Sequence, residues 1–214
     1  MTLKRDPYLP QRQQMVDEQL VARGISDPTI IHAMLNIPRH LFVPAKLQRE
    51  AYADKALPLG PGQTISQPFI VALMLSSLDL NKDQTILEVG SGSGYLACLA
   101  SLLVKKVYGV ELSQTLVESA TDVAKKLELQ NVEFICADGG YGYEDKGPYD
   151  RIVLSAACNE IPRPLLKQLA PDGKFIFPLT DPDGEQQLVL LSKEDDKLSE
   201  EVLGSVRFVE FQTS

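Results

Sequence analysis

The chain has 214 residues, 44% of them hydrophobic and 23% charged, which is the composition of one globular domain. Its formal net charge of −8 repels phosphate backbones and anionic membrane surfaces, so we expect neither nucleic acid nor a membrane as a partner. Three cysteines without a C-x-x-C pair, and no apolar signal segment or membrane span, predict a cytoplasmic protein with reduced thiols and no metal site. We expect this protein to be a monomer.

The N-terminal part of the chain, about residues 1–80, predicts a cap made of helices and loops. Apolar residues at helical spacing in residues 8–24 predict an amphipathic helix that stops at a glycine. A second helix is predicted in residues 26–38, with Ser26 or Asp27 as its N-cap. The block from 36 to 68 is rich in proline and glycine, so we expect it to form loops with short helical pieces.

The pattern changes after a third helical run, "QPFIVALMLSSLDL". Short runs rich in valine, isoleucine and phenylalanine then predict seven buried strands: "TILEVG", "KVYGVE", "VEFICAD", "YDRIVLS", "GKFIFPL", "EQQLVLLSK" and "GSVRFVEF". Three helical patterns lie between these runs, "GYLACLASLLV", "SQTLVESATDVAKKLEL" and "IPRPLLKQLA", which indicates a parallel sheet with helices on both faces. The last two runs are joined by the polar segment "EDDKLSEEVL", which favours an antiparallel pair at the sheet edge.

These elements predict an α/β fold in a single domain. Residues 81–214 are expected to form the doubly wound, mostly parallel seven-stranded core, and residues 1–80 the N-terminal helical cap. Ligands of open α/β sheets bind outside the carboxyl ends of the strands, so candidate binding residues are sought there.

One glycine cluster, "ILEVGSGSGY", places Glu88, Gly90, Gly92 and Gly94 between the first core strand and a helix. Glycines let a backbone approach a ligand closely, and a helix N-terminus presents unpaired N–H groups. The G-x-G-x-G spacing differs from the G-x-G-x-x-G of dinucleotide-binding folds. Alone, such a cluster is as consistent with a tight turn as with a ligand site.

Two further strand ends carry acids. Glu111 ends the second core strand, where a carboxylate can accept hydrogen bonds from ribose hydroxyls. The pair Asp138 and Gly139 ends the third, where a side chain can meet an adenine edge. Together with the glycine cluster, these acids resemble the pattern of class I S-adenosylmethionine-dependent methyltransferases.

That resemblance implies S-adenosylmethionine as the cofactor and S-adenosylhomocysteine as its product. It implies that Glu88 lies near the methionyl amino group, Glu111 holds the ribose, and Asp138 and Gly139 flank the adenine. The implied cofactor set includes their neighbours: Gly90, Ser91, Gly92, Gly94 and Leu112.

The segment "GPGQTISQPF" (60–69) contains no residue that titrates near neutral pH. A site without a general base suits the methylation of a carboxylate, which is already ionised because its pKa is about 4. Thr64 and Ser66, together with backbone N–H groups, could orient such a carboxylate. The two histidines, His32 and His40, lie in the cap, and we interpret them as structural.

Four segments are similar to the protein-L-isoaspartate O-methyltransferase family: "PRHLFVP", "AYADKALPLGPGQTISQPFIVALM", "LEVGSGSGY" and "DRIVLSAACNEIPRPLLKQLAPDGKFIFPL". The similarity covers about residues 12–211 and implies methylation of aged L-isoaspartyl residues in proteins and peptides, whose esters then collapse through a succinimide. It implies Ser66 as the catalytic residue and Thr64, Ile65 and Ser66 as cofactor contacts. The implied substrate contacts are Thr64, Ser66, Gln67, Ala156 and Ala157.

Alternatives remain at this stage. Ser66 could serve only as the N-cap of the helix that follows it. Cys158 and Asn159 stand where the family often has alanine and proline, in a loop expected to face the substrate. This departure leaves open a methyltransferase for another carboxylate, a small molecule or a modified peptide. A binding module without catalysis is a further alternative, and a longer C-terminal contact with the cofactor is expected to be absent.

Overall fold

The computed structural model describes residues 6–60, 62–194 and 197–213, beginning with the predicted helical cap. The cap contains α1 (Leu9–Gln14), α2 (Pro28–Asn36) and α3 (Pro68–Ser76). A π-helical segment (Met15–Leu20) and a 3₁₀ turn (Val21–Arg23) extend α1, and 3₁₀ turns occur at Arg39–Phe42 and Ala45–Glu50. The N-cap of α2 is Asp27 rather than Ser26, because its carboxylate accepts the N–H of Thr29 at 2.7 Å.

A β-hairpin lies in the block that was expected to be loop and helix. Strand β1 (Leu57–Gly60) pairs antiparallel with β2 (Gln63–Ile65). The side chains of Leu57 and Ile65 are buried and anchor this hairpin against the cap. The short helical pieces expected in this block are present, but the hairpin was not predicted, because strands of three or four residues are too short to show an alternating apolar pattern.

The seven-stranded sheet follows: β3 (Thr85–Val89), β4 (Lys106–Glu111), β5 (Val132–Cys136), β6 (Tyr149–Leu154), β7 (Leu169–Thr180), β8 (Gln186–Glu194) and β9 (Lys197–Val206). The strand order is β5-β4-β3-β6-β7-β8-β9. Strands β3 to β7 run parallel, β8 is antiparallel to β7, and β9 is antiparallel to β8. The predicted mixed α/β sheet is therefore confirmed.

Three helices connect the parallel strands: α4 (Tyr95–Ser101), α5 (Gln114–Lys126) and α6 (Arg163–Lys167). Two buried apolar clusters result from this arrangement, one containing Ile86 and the other Leu87, so consecutive residues of β3 point to opposite faces of the sheet. The cap helices belong to the first cluster, so cap and sheet share one apolar core. Within the described residues, no helix is long and apolar enough to cross a bilayer.

The last strand lies earlier in the chain than predicted. It begins at Lys197, within the segment interpreted as a polar connection, and ends at Val206. Most residues of β9 are exposed, because this strand forms the edge of the sheet, and polar residues are typical of edge strands. The chain then leaves the sheet: the Gln186 amide accepts the N–H of Phe208 at 2.6 Å and donates to its carbonyl at 3.2 Å.

Candidate active site

The carboxyl ends of the central parallel strands open into a cavity of about 320 Å³, the large cavity of the site, which adjoins a recess of only about 30 Å³. Seven residues predicted from the sequence as cofactor or substrate contacts line the large cavity: Thr64, Gly90, Gly92, Glu111, Leu112, Gly139 and Ala156. They come from the hairpin and from the ends of four strands. The structure thus brings residues from distant parts of the sequence to one edge of the sheet, where ligands of such folds bind.

The glycine loop has the backbone conformation that requires glycine. Gly90, Gly92 and Gly94 have φ angles of 74°, 52° and 79°. A Cβ at Gly94 would lie 2.6 Å from the ring of Phe134 and 2.8 Å from Ala120, so Gly94 allows α4 to pack closely on its neighbours. Gly94 does not line the cavity, whereas Gly90 and Gly92 do.

Glu111 is buried and uses both carboxylate oxygens to fix the loops beside the cavity. One oxygen accepts the N–H of Gly92 at 2.9 Å and the other the N–H of Ser113 at 2.9 Å. A carboxylate oxygen has two lone pairs, so each can accept one more hydrogen bond from a ligand in the cavity. Glu111 therefore both orders the glycine loop and presents two acceptors to hydroxyl groups.

Glu88 is only 2% exposed and is incompletely paired. Its Oε1 accepts a hydrogen bond from the Ser155 hydroxyl at 2.9 Å, whereas its Oε2 has no hydrogen-bond partner among the described residues. Burial raises the pKa of Glu88 to about 8, although the bond from Ser155 opposes this shift. A buried carboxylate with an unpaired oxygen is costly by itself, and a cationic donor such as an ammonium group would satisfy it.

Glu88 lies at a smaller recess of about 30 Å³ between the glycine loop and the hairpin. The predicted residues Thr64, Ile65, Ser66 and Ser91 also line this recess. The hairpin residues of the distinctive "GQTISQP" segment therefore lie next to the glycine loop.

Asp138 and Gly139 follow β5. The carboxylate of Asp138 accepts the N–H of Gly140 at 2.8 Å and so caps a short 3₁₀ turn. Gly139 lines the large cavity, and a Cβ there would lie 2.4 Å from the Val89 side chain, so the position accepts only glycine without rearrangement. The backbone at this strand end thus forms part of the cavity wall.

Ser66 does not cap the following helix. The N-cap of α3 is Gln67, and α3 has no side-chain cap hydrogen bond. Ser66 is half-buried and lines both the recess beside Glu88 and an outer groove of about 380 Å³. Thr64 lines the large cavity, the recess and the groove, so the hairpin forms the boundary between them.

Gln67, a predicted substrate contact, also lines the outer groove. Its side-chain amide donates to the Asp54 carboxylate at 2.7 Å. Asp54 in turn pairs with Arg23 at 3.3 Å, and the Arg23 guanidinium lies 3.5 Å from the ring centre of Phe69. This chain of contacts fixes the orientation of the Gln67 amide at the groove.

The loop after β6 was expected to face the substrate, but Ala157 and Cys158 of this loop are buried. Ala156 lines the large cavity, but Ala157 is buried and its backbone pairs with that of Val209 and Phe211 at 2.8 Å each. Cys158 is also buried, with its thiol 3.6 Å from the carbonyl of Pro178, and burial raises its pKa to about 11. The Cys158 side chain therefore packs inward and does not face a substrate.

Sequence reasoning missed two parts of the site. Ser155, which orients Glu88, could have been noticed as a hydroxyl at the carboxyl end of a parallel strand. The segment from Val209 to Gln212 lines the large cavity although a C-terminal contact was not expected. No polar motif marks that segment, and its position depends on long-range pairing with Ala157.

The two histidines lie away from these cavities. His40 stacks on Tyr8 with ring centres 4.2 Å apart and contacts the Tyr52 hydroxyl at 2.8 Å. His32 is near the surface of α2, beside Asn36. Among the described residues, no group of three or more potential metal ligands is found.

Comparison with known proteins gives a consistent family. A family model described as protein-L-isoaspartate(D-aspartate) O-methyltransferase matches residues 10–214. A protein-L-isoaspartate O-methyltransferase from Herpetosiphon aurantiacus is 45% identical over 204 residues, covering 95% of this chain and 91% of its own. One of the same name from Methanoculleus marisnigri is 42% identical over 207 residues, covering 97% and 94%.

Solved structures agree with the sequence relatives. A protein-L-isoaspartate O-methyltransferase structure superposes with a TM-score of 0.85 and 32% identity, over 93% of this chain and 65% of the other. A structure from Plasmodium falciparum, described as a beta-aspartate methyltransferase in complex with S-adenosyl-L-homocysteine, has a TM-score of 0.82 and 28% identity. That match covers 95% of this chain and 99% of the other.

Proposed function

The chain belongs to the protein-L-isoaspartate(D-aspartate) O-methyltransferase family, and from this premise we propose what it does. It is a repair methyltransferase that transfers a methyl group from S-adenosylmethionine to the free α-carboxylate of L-isoaspartyl residues in damaged proteins and peptides. The observation that best supports this function is the position of Thr64, which lines both the large cavity and the outer groove. A peptide in the groove can therefore present a carboxylate to a cofactor in the cavity.

The residues present fit S-adenosylmethionine. The unpaired Oε2 of Glu88 would accept the methionyl ammonium, the two oxygens of Glu111 would accept the ribose hydroxyls, and Gly139 would lie beside the adenine at the cavity wall. When bound, the cofactor supplies an activated methyl group on a sulfonium. Because this methyl group needs no further activation, the protein acts mainly by positioning the nucleophile.

The nucleophile is a carboxylate with an ordinary pKa of about 4, so it is ionised at neutral pH and needs no general base. The hydroxyl of Ser66 makes no hydrogen bond to another described residue, so it can donate to a substrate carboxylate. Thr64 and the hairpin backbone would hold the same group from the other side. These contacts would orient one carboxylate oxygen toward the methyl group and exclude the water that would otherwise solvate it.

Selection of the isomer requires more than a carboxylate contact. An isoaspartyl residue has an extra backbone methylene and a free α-carboxylate, whereas an aspartyl residue has its carboxylate on the side chain. A site that tells them apart must hold the peptide backbone as well. The groove supports this, because it extends from Thr64 and Ser66 on one side to Arg207 and Phe208 on the other and so can contact more of a peptide than one carboxylate.

We also propose that the protein acts as a monomer in the cytoplasm without a nucleic-acid partner. The negative net charge supports the last point, and the three cysteines, all free in the structure, support a reducing compartment. Light scattering coupled to size exclusion would measure the oligomeric state, and a dimer at micromolar concentration would contradict the monomer.

The proposed function is tested with two peptides of identical sequence, one isoaspartyl and one aspartyl, and methyl-labelled cofactor. We expect label transfer to the isoaspartyl peptide and none above background to the aspartyl peptide. Equal labelling of both peptides, or labelling of neither, would exclude the isoaspartyl-specific activity.

A further inference from the structure

The outer groove contains one charged residue that the proposed function has not used. Among the described residues that line the groove, Arg207 alone carries a charge. The others are neutral and include Thr64, Ser66 and Gln67. The groove is thus a neutral surface beside the Ser66 hydroxyl, the predicted catalytic group, and Arg207 is its single cation.

The backbone around Arg207 is held on both sides. Val206 pairs with Gln186 in the sheet register, and the Gln186 side-chain amide makes two hydrogen bonds with the backbone of Phe208. Phe208 packs against the apolar core, whereas Arg207 is exposed. The position of the arginine at the groove wall is therefore determined by the sheet edge rather than by a free chain terminus.

The guanidinium group of Arg207 has no contact that would give it a structural role among the described residues. Arg207 makes no ion pair or side-chain hydrogen bond with any other described residue. An arginine presents five N–H donors in a planar fork that suits a carboxylate. Its location, its exposure and the neutral lining around it indicate an external anionic partner.

The location of Arg207 also indicates whether it would contact the reacting carboxylate or another carboxylate of the peptide. The reacting carboxylate must reach the cofactor, so it belongs near Thr64 and Ser66, where the groove joins the recess beside Glu88. Arg207 lines the groove but neither the recess nor the large cavity. It would therefore contact the peptide beside the isoaspartyl residue and not the reacting group.

We propose that Arg207 is a specificity-determining residue that favours peptide substrates with an acidic side chain next to the isoaspartyl residue. This inference rests on the proposed function. The net charge of −8 opposes acidic peptides at long range, but charges beyond about 8 Å are largely screened at physiological ionic strength. A contact between Arg207 and a neighbouring carboxylate is short-range and can outweigh that repulsion.

The test uses acetylated and amidated isoaspartyl peptides that differ at one flanking position, which holds glutamate, glutamine or lysine. Blocked termini ensure that a side chain supplies the only additional carboxylate. For the unchanged protein, kcat/KM should be about two- to fivefold higher with glutamate than with glutamine on at least one side, as expected for a partly exposed ion pair. Lysine should give the lowest value.

Three variants separate the role of Arg207 from general effects of charge. Arg207→Gln should bring the glutamate-to-glutamine ratio close to one, and Arg207→Lys should retain part of the preference. Lys197→Gln makes the same charge change at the opposite end of β9 and should leave the ratio unchanged. Higher salt should reduce the preference of the unchanged protein.

The outcomes are distinguishable from those of the proposed function. If the unchanged protein methylates all isoaspartyl peptides at equal kcat/KM, the proposed role of Arg207 is wrong but the proposed function stands. The same holds if Arg207→Gln lowers kcat/KM by the same factor for every peptide. Absence of methylation of every isoaspartyl peptide by the unchanged protein would overturn the proposed function and this inference with it.

Discussion

Two buried acids on neighbouring strands differ in how their oxygens are satisfied. Both oxygens of Glu111 accept backbone N–H groups, whereas Glu88 receives one hydroxyl and keeps one oxygen unpaired. The burial of Glu88 disfavours its ionised form until a cationic donor binds. At the scale of single residues, Glu111 thus holds the loops that form the cavity wall, and Glu88 has an unpaired oxygen to which a ligand can donate a hydrogen bond.

Glu111→Ala should weaken binding of S-adenosylhomocysteine by about 1.5–3 kcal/mol, the range for charge-assisted hydrogen bonds, because it removes the ribose acceptors and frees the Gly92 loop. Isothermal calorimetry measures the change. Glu118→Ala alters an exposed acid on α5 and should bind normally. Unchanged affinity in Glu111→Ala would show that the ribose is held elsewhere.

Glu88 should make the stability of the cofactor-free protein depend on pH. Its folded pKa of about 8 lies above its ordinary value of 4.5, so the folded state binds the proton more tightly than the unfolded state. The associated stability is fully present below about pH 4.5 and is lost as pH rises through 8. Thermal unfolding should therefore show that Glu88→Gln gains stability relative to the parent as pH increases from 6 to 8. A pH-independent difference would mean that Glu88 has an ordinary pKa.

Ser66→Ala should lower kcat by roughly ten- to a thousandfold, the usual cost of one lost positioning contact in a preorganised site. Its affinity for S-adenosylhomocysteine should stay nearly unchanged, because the hydroxyl is assigned to the nucleophile. Single-turnover methylation of an isoaspartyl peptide tests this, with Ser199→Ala on the distant part of β9 as control. Turnover like that of the parent would leave the substrate to be held by other groove residues.

At the scale of elements, the site is formed by strand ends, by the hairpin and by the segment after β9, and the sequence predicts these parts unequally well. Strand ends were predictable, because long apolar runs mark strands and the carboxyl ends of parallel strands meet at one edge. The hairpin and the segment after β9 were not. Strand β1 has only four residues, and the position of Val209 is set by pairing with Ala157, more than fifty residues earlier in the chain. Local sequence patterns carry no information about such contacts.

The Gln186 amide should control the segment after β9. Gln186→Ala removes two hydrogen bonds to Phe208 and leaves partly buried backbone groups unpaired, at a cost of about 1–3 kcal/mol. We expect faster amide hydrogen exchange in residues 207–212 and a higher KM for the peptide. Gln187→Ala, at the exposed neighbouring position, is the matched control. Equal exchange in both variants would show that the amide contact does not hold the segment.

At the scale of the whole molecule, the cap and the sheet form one apolar core, and the hairpin joins them at the active site. The cap therefore covers one apolar face of the sheet and places Thr64 and Ser66 beside the glycine loop. The alternation of strands and helices predicted the parallel part of the sheet, and the last two apolar runs predicted its antiparallel edge. The cap-to-sheet contacts followed from no local pattern, since they join residues far apart in the chain.

The repair reaction is tested most directly by following an isoaspartyl peptide through complete turnover. The methyl ester of the α-carboxylate is attacked by the neighbouring backbone nitrogen, which releases methanol and forms a succinimide that water then opens. With protein and S-adenosylmethionine, chromatography should show the isoaspartyl peptide declining, a transient succinimide, and the aspartyl peptide accumulating while methanol is released. An unchanged isoaspartyl peptide, or a stable ester that yields no aspartyl peptide, would contradict the repair function.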